Sequence, residues 1–355
     1  MRFIHMADVH LGATPDRDKP WGKDRAKEIW ESFEKVIEAC NQDQIDLLLI
    51  AGDLFHKQPL VRELKEVNYL FTKLEKTEVI LMAGNHDYIG PRSNYKKFKW
   101  DSKVHMFMKD VVEPIKLPKI KTVVHGLSYL TRDITLPVYD AAKPLPGDEI
   151  QILLAHGGDN KSIPINRKLL LNSGFDYIAL GHIHIPEIIS NKMAYAGSLE
   201  PLDRNETGER GYIIGEINEE KKLSRLEFIA SARRQYKKLS LDINPDIGNL
   251  EAIDKAREII KNHGEENIYQ LIIEGFRDEA VEFDKEAILS LGNVLEIIDQ
   301  SLPNYDFQRL YRENADNIIG LFIKSIKDKS QDEDVTKKAL YYGLEALLDA
   351  KDQWK

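Results

Sequence analysis

The chain has 355 residues, 42% of them apolar and 31% charged. At about 150 residues per domain this suffices for roughly two packed cores, and it excludes a wholly disordered or fibrous chain. Lys and Arg number 50 against 59 Asp and Glu, so the formal charge of -9 gives no global basic field, and a single cysteine excludes a disulfide framework or a cysteine-rich metal site.

Phe3 to Ala7 reads as a short buried strand, with Asp8 and His10 just past its end. Over 24–40, Ile29, Phe33, Val36 and Ile37 recur at helical spacing, and Cys40 continues that pattern as a core residue. The near-continuous apolar run Ile45 to Ala51 reads as a strand covered on both faces, and it leads into Gly52 and Asp53. A second helix is expected over 61–75. Another buried strand, Glu78 to Ala83, ends in Gly84-Asn85-His86-Asp87. Strand, polar cluster, helix, strand, polar cluster is an α/β pattern with chemistry at the C-terminal ends of strands.

Shorter strands are expected near 104–108, 121–127, 150–155, 176–180, 193–196, 211–217 and 222–230. Two sheets packed face to face with helices outside would house them. Two of these strands run into His156-Gly157-Gly158 and Gly181-His182-Ile183-His184. The organisation expected is one domain over 1–232, a small α/β unit over 239–303 and a helical segment over 304–355. In the last, Ile318, Ile319, Leu321, Phe322 and Ile326 form one stripe, and Leu340, Tyr341, Leu344, Leu347 and Leu348 another. The charged stretch from Lys327 to Asp334 reads as a solvated turn. No apolar opening stretch is long enough for a signal peptide and no run of 18 apolar residues occurs, so a cytoplasmic protein without a membrane span is expected.

Taken singly, each histidine reads as core or surface. Taken together, His10, His86, His156, His182 and His184, with Asp8, Asp53, Asn85 and Asp87, all follow buried strands in short polar or glycine-containing clusters. Oxygen donors mixed with imidazole and no thiolate suit Mn, Fe or Zn better than a closed structural zinc site. The donors outnumber what one ion uses, and two ions need a shared carboxylate, for which Asp53 is the candidate. His5 alternates away from the cluster and reads as structural. A phosphate-binding Gly-x-x-x-x-Gly-Lys-Ser/Thr string, a His-Glu-x-x-His pair and a Gly-x-Ser-x-Gly elbow are all missing from the sequence.

In chain order, Asp8-Val9-His10, Gly52-Asp53, Gly84-Asn85-His86-Asp87, His156-Gly157 and Gly181-His182-Ile183-His184 resemble the five motifs of the calcineurin-like metallophosphoesterases. The fuller strings Ala7 to Gly12 and Ala51 to His56, with Tyr195-Ala196-Gly197-Ser198-Leu199, resemble its SbcD-like DNA-repair nuclease branch. The resemblance implies a two-sheet metallophosphoesterase sandwich flanked by helices, with a capping domain and C-terminal helices. It implies one ion held by Asp8, His10, Asp53 and His184, and another by Asp53, Asn85, His156 and His182. It places His86 beside the scissile phosphate with Asp87 orienting its ring. The activity implied is a Mn-dependent DNA exonuclease, with endonuclease action as a further option, in repair or recombination. A metal-activated water would attack phosphorus in line. The same donors would also serve a phosphoesterase acting on nucleotides, cyclic nucleotides or phosphoproteins.

Between Arg92 and Lys121 lie nine Lys or Arg against three acids. Arg92, Lys96, Lys97 and Lys99 are candidate DNA contacts, with His56 and Tyr88 beside the metal motifs; the alternative is a solvated face. Arg233 and Arg234, with Lys237 and Lys238, form a second basic candidate. The resemblance further implies a homodimer, with the helices at 24–40 and 61–75 as candidate surfaces, and an SbcC-like coiled-coil ATPase partner. The C-terminal stripes would either dock that partner or pack on the protein's own core.

Overall fold

The computed structural model describes residues 1–329 and 333–352. The expected charged turn therefore lies partly outside the described residues, as do 353–355 of the helical segment. The chain divides into two compact units, Met1–Lys237 with Glu266–Ile268, and Lys238–Glu265 with Tyr269–Lys355.

The first unit carries strands β1 (Arg2–Met6), β2 (Leu47–Ala51), β3 (Glu78–Met82), β4 (Val104–Met106), β5 (Glu113–Leu117), β6 (Thr122–Gly126), β7 (Ile150–His156), β8 (Tyr177–Gly181), β9 (Glu187–Ser190), β10 (Met193–Tyr195), β11 (Gly211–Ile217) and β12 (Leu223–Ala230). Its helices are α1 (Gly22–Gln42), α2 (Val61–Thr72) and α3 (Arg167–Leu171). One sheet runs β12-β11-β1-β2-β3-β4 and the other β5-β6-β7-β8-β10-β9. In the first, β1 to β4 are parallel, while β11 and β12 return antiparallel. In the second, β6, β7, β8 and β10 are parallel, with antiparallel edges.

All five residues of β2 are buried because it has two covers. Leu47 and Leu49 join Ile152, Leu154 and Ile178 in the core between the sheets. Leu48 and Ile50 join Phe33, Ile37, Leu64 and Phe71 in a second core beneath α1 and α2. Each such side chain contributes about 1.5–3 kcal/mol by leaving water. The helical spacing of Ile29, Phe33, Val36, Ile37 and Cys40 is thus the buried face of α1. Within the first unit, two strands lie outside those expected from the sequence. β5 contains Pro114 and alternates between half-buried and exposed, and β9 is largely exposed. Both are edges of their sheet, where neither a continuous apolar run nor proline-free pairing is required.

The second unit holds β13 (Tyr236–Ile243), whose first two residues belong to the first unit, α4 (Asn249–His263), β14 (Ile268–Arg277), whose first residue belongs to the first unit, α5 (Lys285–Leu289), β15 (Val294–Asp299) and β16 (Leu302–Pro303). Ala252, Ala256 and Ile260 of α4 pack on Leu241, Leu271 and Ile273. Helices α6 (Phe307–Glu313), α7 (Ile318–Lys329) and α8 (Glu333–Asp352) form their own small core from Leu310, Ile319, Ile323, Leu340 and Leu344. Of the expected α7 stripe, Ile319, Phe322 and Ile326 pack in or against this core, and two residues do not. Ile318 and Leu321 are 67% and 63% exposed, while Ile323 is buried. Ile318 is the first residue of the helix, and an apolar run of this density leaves the helix phase undetermined.

Candidate metal centre

The C-terminal ends of β1, β2, β3, β7 and β8 converge, and the loops beyond them continue to pair. Asp8 N–H donates to the Gly52 carbonyl at 3.2 Å, and His10 N–H to that of Asp53 at 3.0 Å. Gly157 N–H reaches the Gly181 carbonyl at 3.2 Å, and His182 N–H donates to the Asp8 carboxylate at 2.9 Å. The backbone is bent to do this. Asp8, His10, Asp53 and His182 have φ of 50°, 52°, 49° and 92°. Left-handed backbone costs a residue with a Cβ about 1–2 kcal/mol, and here it aims four chemistry-bearing side chains inward. Two motif glycines serve the same end: a Cβ at Gly84 would overlap the Asp53 carboxylate, and one at Gly52 the His156 ring.

Among the described residues, three sets of donors lie close enough to hold an ion. In each of Asp8, His10 and His184, then Asp8, Asp53 and His156, then His10, His56 and His86, the donor atoms lie within 4.8 Å of one another. His10 Nε2 is 3.1 Å from His184 Nε2 and 3.8 Å from Asp53 Oδ2. Asn85 Oδ1 stands 2.9 Å from His156 Nε2 and 3.2 Å from His182 Nδ1. Asp53 Oδ2 is 3.5 Å from the same His156 nitrogen.

The donor chemistry fits a cation. His156 Nδ1 lies 2.8 Å from the Ala51 carbonyl, which only accepts, so Nδ1 carries a hydrogen. In the neutral ring, Nε2 then presents a lone pair to the Asn85 and Asp53 oxygens. Acceptors facing one another without a donor need a proton or a cation between them. With no ion bound, a proton serves: burial disfavours it, but Asp53 and Asp8 outweigh burial and hold the His156 imidazole up at about 9. The same pairing keeps the buried Asp53 carboxyl below its usual range, against the push of desolvation. Asp8 goes the other way, raised by burial to about 6 although His184 and His156 draw it down. A divalent ion would take the place of the proton and neutralise both carboxylates.

His86 sits at the edge of this cluster. Its ring is 4.8 Å from that of His10 and 5.4 Å from that of the exposed His56. The expectation that Asp87 orients it is corrected. His86 Nδ1 faces the His56 carbonyl at 3.1 Å. Asp87 Oδ1 accepts from Gly84 N–H at 2.8 Å, and Oδ2 from Phe55 N–H at 3.2 Å and Tyr95 O–H at 2.8 Å. Both carboxylate oxygens are spent on tying loops together, because the group is fully buried beneath them. Burial and the nearby Asp53 push it up to about 7. Tyr88 is half-buried against the inter-sheet core.

Arg92, Lys96, Lys97 and Lys99 are exposed on the segment that the buried Tyr95 pins to Asp87. Other cations of the basic stretch are engaged, Lys109 with Glu113 at 2.7 Å and Lys119 with Glu78 at 3.1 Å. Two cations of the second basic candidate are engaged, Arg234 with the buried Glu28 and Arg233 with Glu31, each at 2.7 Å. Sequence reasoning missed two carboxylates on histidines. Glu206 Oε1 is 2.6 Å from His184 Nδ1, and Asp159 Oδ2 is 2.9 Å from His182 Nε2. Neither belongs to a recognisable motif; Asp159 does follow the His156-Gly157-Gly158 cluster directly.

Comparison with known proteins follows the same lines. The family model for calcineurin-like phosphoesterase matches residues 1–186. The uncharacterized metallophosphoesterase YhaO of Bacillus subtilis is 27% identical over 60% of this chain and 57% of its own. The DNA double-strand break repair protein Mre11 of Methanocaldococcus jannaschii is 31% identical over 58% of each chain. The SbcD component of the nuclease SbcCD of Staphylococcus epidermidis is 26% identical over 93% of this chain and 94% of its own. The chain thus spans little more than half the length of the first two relatives. Among the described residues, no helix is long and apolar enough to cross a membrane.

Proposed function

The chain belongs to the calcineurin-like phosphoesterase family, and on that premise we propose that it is a metal-dependent phosphodiesterase acting on DNA. The proposed activity is exonucleolytic, with endonucleolytic action as an extension, in repair or recombination. The observation that carries the hydrolase is the convergence of Asp8, His10 and His184, and of Asp8, Asp53 and His156, with the donor atoms of each set within 4.8 Å of one another. The DNA assignment draws on the four exposed cations of the segment that Tyr95 ties to Asp87 and on relatives named as Mre11 and as the SbcD component of SbcCD.

In this reading Asp8, His10, Asp53 and His184 would hold one divalent ion, and Asp53, Asn85, His156 and His182 the other, with Mn2+ as the native choice and Fe2+ or Zn2+ as ions the same donors would accept. Bound ions of this kind neutralise phosphate oxygens and make a nearby water more acidic. The protein's own groups do the rest. His86 places Nδ1–H on the His56 carbonyl, so as an imidazolium it would have Nε2–H free to deliver a proton to the leaving oxygen. Asp87 ties the loop carrying Asn85 and His86 to Phe55 and to Tyr95, so the exposed cations Arg92, Lys96, Lys97 and Lys99 stay registered with the centre. Those cations would hold the phosphodiester backbone. A homodimer and an SbcC-like ATPase partner complete the proposal.

The test is cleavage of double-stranded DNA and of bis(p-nitrophenyl) phosphate by Mn2+-loaded protein, beside His86→Ala. Both substrates should be cut by the parent, and the variant should lose about 10²–10⁴-fold on DNA. Cleavage of the small diester alone would remove DNA from the assignment, and cleavage of neither would remove the hydrolase.

A further inference from the structure

We propose that Glu206 and Asp159 are positioning residues that fix the rings of His184 and His182 in opposite tautomers, so that two imidazoles two residues apart present different nitrogens to the metal centre. This rests on the metal-dependent reading above and extends it to residues outside every motif.

Carboxylate oxygens only accept hydrogen bonds. With Glu206 Oε1 at 2.6 Å, His184 Nδ1 must carry a hydrogen, and Nε2 is left as the lone pair that faces His10 Nε2 at 3.1 Å. With Asp159 Oδ2 at 2.9 Å, His182 Nε2 carries the hydrogen, and Nδ1 is left facing Asn85 Oδ1 at 3.2 Å. The carboxylates are themselves held. Glu206 Oε2 accepts from Leu202 N–H at 3.0 Å and from Ser198 O–H at 3.3 Å, with Arg210 Nε 4.0 Å away. Asp159 Oδ1 accepts from the N–H groups of Lys161 and Ser162, each at 2.7 Å.

In regular extended backbone, residues two apart point the same way and would offer the same nitrogen. The left-handed φ of 92° at His182 breaks that alternation, and the two acids then select which nitrogen each ring keeps for the centre. Without its acid, a ring can exchange tautomers or flip, offering N–H or C–H where a lone pair is needed. Loss of such an outer partner typically weakens metal binding about 10–100-fold. The Glu206 side chain is 16% exposed and that of Asp159 is 51% exposed, so water replaces Asp159 more readily and Glu206 carries the larger effect.

The experiment reads ring nitrogens directly. Long-range ¹H–¹⁵N correlation spectra of the metal-free protein at alkaline pH, where imidazoles are neutral, should show Nδ1–H at His184 and Nε2–H at His182. Glu206→Ala should lower Mn2+ affinity by calorimetry by about 10–100-fold and Asp159→Ala by about tenfold. Glu206→Gln should recover most of the loss, since its amide oxygen accepts the same N–H; a role in folding alone would not respond to that rescue. The same tautomer at both histidines of the parent protein, a measurement that requires no variant to fold, overturns the proposal. So does Glu206→Ala with unchanged tautomer and affinity. Should the tautomers and affinities behave as stated while the loaded parent cleaves no phosphodiester, the positioning roles stand and the hydrolase reading falls. Failure of the parent to bind Mn2+ overturns both.

Discussion

Gly52→Ala tests whether the centre is built by close packing of motif backbone against metal-facing side chains. Gly52 has φ of 84°, and an added Cβ would overlap the ring of His156. That ring is buried and engaged at both nitrogens, with the Ala51 carbonyl at 2.8 Å and Asn85 Oδ1 at 2.9 Å, so it cannot step aside freely. Two costs add. The left-handed backbone disfavours alanine by about 1–2 kcal/mol, and overpacking a filled interior costs about 1–3 kcal/mol more. The same unit supplies its own control. Gly208 has φ of 86° with nothing within 4 Å of its Cβ position, so Gly208→Ala should show the backbone cost alone. The two variants should therefore differ by about 1–3 kcal/mol in urea unfolding of the first unit. Displacing His156 should also weaken Mn2+ binding by at least about tenfold, which corresponds to roughly 1.4 kcal/mol, while Gly208→Ala binds as the parent does. Equal destabilisation of the two variants, with Mn2+ affinity unchanged in Gly52→Ala, would refute the packing argument.

Three further outcomes are expected. His5 is fully buried, with Nδ1 2.9 Å from the Tyr177 hydroxyl, and burial pushes its imidazole down from 6.5 to about 3. The unfolded chain therefore binds the extra proton between those values, so this residue's share of stability falls as pH drops from 6.5 towards 3, by up to about 1.4 kcal/mol per pH unit; a His5→Phe variant whose unfolding midpoint follows pH as steeply as the parent's would contradict this. Glu200→Ala should destabilise the first unit by about 3–5 kcal/mol in chemical denaturation, because it strips the buried Arg25 of a partner at 3.4 Å and leaves Ser32 O–H and Arg233 N–H, each at 2.6 Å, without their acceptor. Replacing Arg92, Lys96, Lys97 and Lys99 together by alanine should flatten the slope of log affinity for duplex DNA against log salt by about 0.9 per contact, with turnover of bis(p-nitrophenyl) phosphate preserved; an unchanged slope would place the DNA elsewhere.

The sheets, the two helices that cover one of them and the clusters at strand ends could be read in advance because their signals are local. Leu47 to Ala51 is buried residue by residue, and the spacing of Ile29, Phe33, Val36 and Ile37 is that of a helix face. A motif such as Gly84-Asn85-His86-Asp87 likewise announces itself within four residues. The edge strands β5 and β9 gave little signal, because a half-exposed strand need not be apolar.

Partnership between distant loops left no such mark. Asp87 looked like the partner of its neighbour His86, yet folding buries it where Phe55 and Tyr95 take Oδ2 and Gly84 N–H takes Oδ1. Arg233 and Arg234 looked like a free basic patch, yet α1 meets them with Glu28 and Glu31. Glu206 and Asp159 are 22 and 23 residues from the histidines they hold, and neither lies within a motif, although Asp159 directly follows one. Residue types and strand-end positions were thus fixed by short-range pattern. Which oxygen faces which nitrogen, and which backbones turn left-handed to allow it, followed from where packing brought separate loops together, since hydrogen bonds and ion pairs act over a few ångströms of space whatever the separation along the chain.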